Sequence, residues 1–195
     1  MPEMKESSSS PLTSEVLEFA TVAVPFCTLL RQAGELKREE VIHKLLHLLP
    51  LLYLKALSLP SGRDEAFSDD EEEYLLPACV TEEEYTLVLR GLEAQLGNDD
   101  LYLEALSPEM QYSDRPLTAR ISEILTDVYQ PLGNFVGLLR DEHLALIPFA
   151  TLELRELFNA YWGDRVLSAL RALHHIQFAE DLSANEHLNY DIDEE

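Results

Sequence analysis

A chain of 195 residues with 46% apolar side chains is long enough for one substantial core and too apolar to stay disordered. Its 37 Asp and Glu against 14 Lys and Arg give a formal net charge of −23, which repels phosphate backbones and anionic headgroups. Direct nucleic-acid binding and membrane attachment are therefore not expected, whereas a basic protein partner is the kind such a surface attracts.

Residues 1–13, MPEMKESSSSPLT, lack an apolar signal region and read as a flexible leader. Cys27 and Cys79 lie far apart, Cys27 among Phe26, Leu29 and Leu30, so neither a disulfide framework nor a zinc site is indicated. The default localisation is cytoplasmic, and no cofactor is implied. From Ser14 to about Ala33 the residues Val16, Phe19, Ala20, Ala23, Phe26, Cys27 and Leu30 fall on one stripe at roughly 100° per residue. Ser14 is the expected N-cap, Gly34 the stop, and Pro25 the site of a kink.

Leu36 to Pro60 is the most apolar stretch and is expected to be the central helix. Ile42, Leu45, Leu46, Leu49, Leu52, Tyr53 and Ala56 form its inner face. After Pro50 the opposite side is apolar too, through Leu51, Leu54 and Leu57, which predicts enclosure on several sides. Residues 61–80 contain the acidic run Asp69 to Glu73 and read as a loop. Thr81 followed by Glu84 matches a capping box, with Tyr85, Val88, Leu89, Leu92 and Leu96 at helical spacing and Gly97 closing the helix.

Asn98 to Ser107 is read as a short helix, and Leu117 to Leu139 as a long one bent at Pro131. A further helix spans about Glu142 to Tyr161. The turn Trp162-Gly163-Asp164 then opens the last one, which ends near Phe178. The tail 180–195 has seven acids and no Lys or Arg, and is expected to be loose. No strand alternation stands out. The fold class is thus all-α: one domain, 14–179, built as an antiparallel bundle of five to six helices with an acidic loop and disordered termini.

The segments LLPLLYLKA (Leu48 to Ala56), YLEAL (Tyr102 to Leu106), MQYSDRPL (Met110 to Leu117), ISEILTDVYQPL (Ile121 to Leu132) and YWGDRVLSALRALH (Tyr161 to His174) occur in this order. That series resembles the bacterial family catalogued as domain of unknown function 5063, over roughly Phe19 to Phe178. The resemblance implies a small, all-helical, cytoplasmic domain, and carries no catalytic, cofactor or site residues onto this chain.

Few residues suggest chemistry. His43 and His47 are four apart, a spacing that chelates metals, but Lys44 breaks the zinc-protease pattern and both lie off the apolar face. Glu123 and Asp127 share that spacing and project with Gln130 and Asn134 away from the Ile121–Val128–Leu132 stripe, onto a face expected to be solvated. The acidic run lacks EF-hand spacing, and there is no phosphate loop or nucleophile elbow. A ligand pocket, where one exists, is expected around Trp162, Arg171 and His174, lined also by Tyr112, Asp114 and Arg115. The reading favoured by the sequence is a non-enzymatic helical interaction or regulatory module with an acidic surface. The alternative is a small-molecule binder or metal-dependent hydrolase whose inter-helical pocket lies near Trp162 and His174. Composition leaves the oligomeric state open.

Overall fold

Apolar residues at helical spacing build six helices: α1 Ser14–Gln32, α2 Arg38–Leu57, α3 Glu82–Leu96, α4 Ile121–Arg140, α5 Ile147–Leu157 and α6 Gly163–Tyr190. Our computed structural model describes residues 11–60, 75–104 and 117–190, and the side chains of these up to Phe178. Residues 1–10, most of the acidic loop (61–74), Tyr112, Asp114, Arg115 and the last five residues lie outside that set. Among the described residues the fold is all-α apart from one two-stranded antiparallel ribbon, β1 Leu101–Glu104 with β2 Leu117–Arg120, registered Leu101 to Arg120 and Glu104 to Leu117.

The centre of the bundle is shared by α1 and by α4, which packs on α1, α3, α5 and α6. α1 packs on α2, α3 and α4, whereas α2 leans on α1 and α6. Phe19, Ala23, Phe26 and Leu30 are fully buried, as are Leu45, Leu49 and Leu52 of α2. Each large side chain so buried contributes about 1.5–3 kcal/mol. By length and composition Ser14–Glu35 would pass for a membrane span, yet 50% of that stretch is buried inside the bundle. The outer side of α2 departs from expectation: Leu51, Leu54 and Leu57 are exposed. Enclosure fails there because no described element covers that side of the helix.

Caps differ in detail from the sequence reading. Thr13, one residue before Ser14, caps α1 by accepting the Val16 N–H at 3.4 Å. Thr81 caps α3 through the Glu84 N–H at 3.2 Å, but the Glu84 carboxylate reaches Tyr129 and Arg31 instead of closing the box. Gly97 ends α3 with φ of 56°, a conformation that favours glycine. Helices α1, α2 and α4 run on through Pro25, Pro50 and Pro131.

Two regions were misread from the sequence. Leu101–Glu104 is a strand rather than part of a short helix, and Leu117–Arg120 is its partner rather than the start of α4. The ribbon shows no familiar alternation because its apolar residues Leu101 and Leu103 face outward, while Glu104 is buried. The true start of α4 is held from a distance. Asp100, 2% exposed, accepts the Ser122 N–H and the Ser122 hydroxyl, both at 2.8 Å. The expected break at Trp162-Gly163-Asp164 is instead a π-helical turn, Phe158–Trp162, joining α5 to α6 without interruption. The helix then runs to Tyr190, past the boundary at 179 and into the stretch expected to be loose.

Trp162 is fully buried. Its indole N–H donates to the Leu154 carbonyl at 3.1 Å, and its ring meets Phe158 at 4.7 Å. A methyl group added at Gly163 would lie 2.6 Å from the Phe158 carbonyl oxygen, closer than packing tolerates. Gly163→Ala is therefore expected to destabilise the fold by about 1–3 kcal/mol, read as a lower denaturant midpoint at unchanged slope. Leu49→Asp places a carboxylate where none can be solvated, and is expected to abolish cooperative melting.

Candidate functional site

Most polar side chains at the helix joints are organised around carboxylates. Asp127, on the outer side of α4, accepts the Tyr85 hydroxyl from α3 at 2.9 Å on one oxygen. Its other oxygen accepts the Tyr161 hydroxyl from the π turn at 2.8 Å. The Arg165 Nε lies 3.6 Å from that second oxygen, and its guanidinium carbon sits 3.6 Å over the Tyr161 ring. One carboxylate thus ties together α3, α4, the π turn and α6. About two turns further along this side of α4, Asn134 accepts the backbone N–H groups of Cys79 and Val80 at 2.9 and 2.8 Å. The face expected to be solvated is thus covered in part, at Asp127 and Asn134, while Glu123 and Gln130 stay exposed.

Beside this hub lies a cleft of about 590 Å³ between α4 and α5, walled on one side by residues 75–78. Pro131, Phe135, Leu154 and Leu157 supply apolar walls, and Asp127, Gln130, Glu153 and Tyr161 its polar groups. Glu123, which shares the i, i+4 spacing with Asp127, points elsewhere: it is exposed and 3.9 Å from Arg120. The two carboxylates therefore do not converge on a common metal position. Among the described residues no group of three His, Cys, Asp or Glu has metal-binding geometry.

A second hub holds α1 to α3 and α4. Glu84 accepts the Tyr129 hydroxyl and lies 3.6 Å from Arg31. Burial pushes the neighbouring Cys27 thiol up to about 12, which makes it a poor nucleophile. The more open Cys79 is also raised, again chiefly by desolvation.

Of the residues expected to share a pocket, Tyr112, Asp114 and Arg115 lie outside the described residues, and the other three divide. Trp162 is core. Arg171 and His174 face outward into a groove of about 720 Å³ between α2 and α6, together with His43 and His47. There Arg171 donates to Glu104 at 2.9 Å, while the Glu104 carboxylate also accepts the Tyr102 hydroxyl at 2.8 Å. His43 and His47 stack at 4.4 Å, and His174 packs on Phe178 at 4.7 Å. Sequence reasoning placed the histidine pair correctly at a polar edge. It missed the hub around Asp127, whose only signal was an acid at helical spacing from another acid and tyrosines scattered along the chain.

The model of the family described as domain of unknown function (DUF5063) matches residues 11–179. The chain belongs to that family. A crystal structure of protein BF1032 from Bacteroides fragilis is similar to this DUF5063 chain, at 30% identity and a TM-score of 0.69. The similarity covers 84% of this chain and 92% of that one. No curated protein matches.

The tyrosines of the DUF5063 hub give it a spectroscopic handle. Burial, followed by the hydrogen bond to Asp127, pushes Tyr85 from 10.0 up to about 12, and Tyr161 is raised by the same two causes. A raised phenol favours the folded state fully below pH 10.0, and that contribution is lost as pH climbs toward about 12. Ultraviolet titration is expected to show late-ionising tyrosines coupled to alkaline unfolding. Asp127→Asn should bring Tyr85 and Tyr161 back toward the ordinary value. An unchanged titration curve would show that the hub does not form.

Proposed function

We propose that this chain is a non-enzymatic, cytoplasmic interaction module that takes a basic, amphipathic helical segment along the faces of α2 and α6. The observation carrying this reading is the exposed apolar surface of those two helices: Leu51, Leu54 and Leu57 on one, Leu167 and Phe178 on the other, from 40% to 56% exposed. At roughly 100° per residue His43, His47, Leu51, Leu54 and Leu57 fall within an arc of ~120°, so they form one stripe. Contiguous apolar surface of this kind on a charged protein is characteristic of partner sites.

The charge supports a basic partner. The groove between the helices is lined by no Asp or Glu, yet it sits on a chain of net charge −23. An exposed apolar face on a chain of this net charge suits a segment with an apolar stripe and Lys or Arg flanks: burial sets the residence time, while the field of the whole chain speeds encounter. The cytoplasmic assignment is supported by the two cysteines, both free thiols. The polar hubs support a non-enzymatic role, because their carboxylates hold tyrosines and arginines from other helices rather than leaving an acid–base pair open to a substrate.

A synthetic Leu/Lys amphipathic helical peptide provides the test. Binding is expected to weaken as salt rises. The Leu51→Asp/Leu54→Asp double variant should lose about tenfold or more in affinity while keeping its melting curve. That variant is more acidic than the parent, so charge alone would make it bind better. Peptide held equally well by both proteins would overturn the docking face.

A further inference from the structure

We infer that the cleft between α4 and α5 is a binding site for a small organic cation with an aliphatic body, of the alkylammonium class. The site is separate from the α2/α6 face, and its argument is independent of that reading. Its volume, about 590 Å³, suits a small molecule, and its inner walls include Pro131, Phe135, Leu154 and Leu157. No Lys, Arg or His lines it. The charged groups it presents are both carboxylates: Asp127 at the hub and Glu153 on the exposed side of α5.

Glu153 has no ion-pair partner among the described residues. Asp127 accepts one hydroxyl on its first oxygen, which leaves acceptor capacity there for a further donor. The chain itself demonstrates the preference of this corner. Its own Arg165 lies 3.6 Å over the Tyr161 ring and 3.6 Å from Asp127, so carboxylate and aromatic ring together already hold a flat cation from the far side. An ammonium group in the cleft would meet carboxylate on its lining, and a short methylene chain would lie on the proline and leucine walls. An anion of the same shape would face two like charges, with no Lys, Arg or His among the lining residues. The field of the whole chain, at −23, raises the local concentration of cations and disfavours anions.

The experiment is a titration with n-hexylammonium, followed by amide chemical shifts at about 0.15 M salt, where the Debye length is ~8 Å and diffuse counterion binding is suppressed. Saturable shifts confined to α4, α5 and residues 75–80 are expected. Glu153→Gln, an exposed substitution that leaves the fold intact, should weaken binding by about fivefold. Gln130→Lys, which places a fixed cation in the cleft, should abolish it. Glu156→Gln, an exposed acid of α5 outside the cleft, should change nothing. Uncharged n-hexanol binding as well as the ammonium would overturn the proposal. So would shifts scattered over the acidic surface, an absence of saturation, or full binding by Gln130→Lys.

Discussion

The packing of this protein depends on a chain of touching aromatic rings. Phe19 of α1 meets Phe135 of α4 edge-on at 5.7 Å and Trp162 of the π turn at 6.5 Å. Trp162 meets Phe158 at 4.7 Å, and Phe158 meets Tyr53 of α2 at 5.1 Å. Rings packed this way are worth more than the area they bury, and their edge-to-face geometry fixes orientation as well as distance. The rings thus link α1 to α4 and to the π turn, and the π turn to α2. The leucines of α2 split by helical face: Leu45, Leu49 and Leu52 are buried, whereas Leu51, Leu54 and Leu57 are exposed.

Around that apolar centre the acids do structural work of an unusual kind for a chain so negative. Asp100, Glu104, Glu84 and Asp127 each stand where one element meets another, and each accepts hydrogen bonds from tyrosine, serine or arginine on a neighbouring element. A buried carboxylate is tolerable only when its lone pairs are filled, so each of these joints specifies its partners closely. Glu123 and Glu153 stay in water, and the net charge of −23 sets the field. Two roles for one residue type are thus divided by burial: joints inside, solubility and steering outside.

How much of this was legible in the sequence follows from the range of the interactions concerned. Helices α1, α2 and α3 could be read because their signals are local: apolar residues at helical spacing, Thr81 ahead of an acidic first turn, Gly97 at the end. The ribbon could not, since its outward-facing Leu101 and Leu103 and its buried Glu104 invert the pattern that normally marks a strand. Glu104 is buried because Arg171 meets it from 67 positions away. The start of α4 was hidden for a similar reason, its cap being supplied by Asp100 rather than by a neighbouring residue. Trp162, expected in a pocket, is a core residue. Grouping it with Arg171 and His174 failed because adjacency in sequence does not put side chains on one side of a helix. Asp127 looked solvated because a helical wheel shows which way a residue points but not what comes to meet it.

The π turn at Phe158–Trp162 has a consequence of phase. It holds one residue more than an α-helical turn, so everything beyond it is indexed about 100° away from where an unbroken helix would carry it. That single offset aims Arg165 at Tyr161 and simultaneously turns Leu167, Arg171, His174 and Phe178 toward α2. The cleft on one side of the molecule and the groove on the other are therefore geared together. A one-residue insertion or deletion in this turn re-aims both surfaces at once while leaving the helical content and the hydrophobic composition of the chain almost untouched. Relatives that differ in length at this turn would present a different face to the same partner.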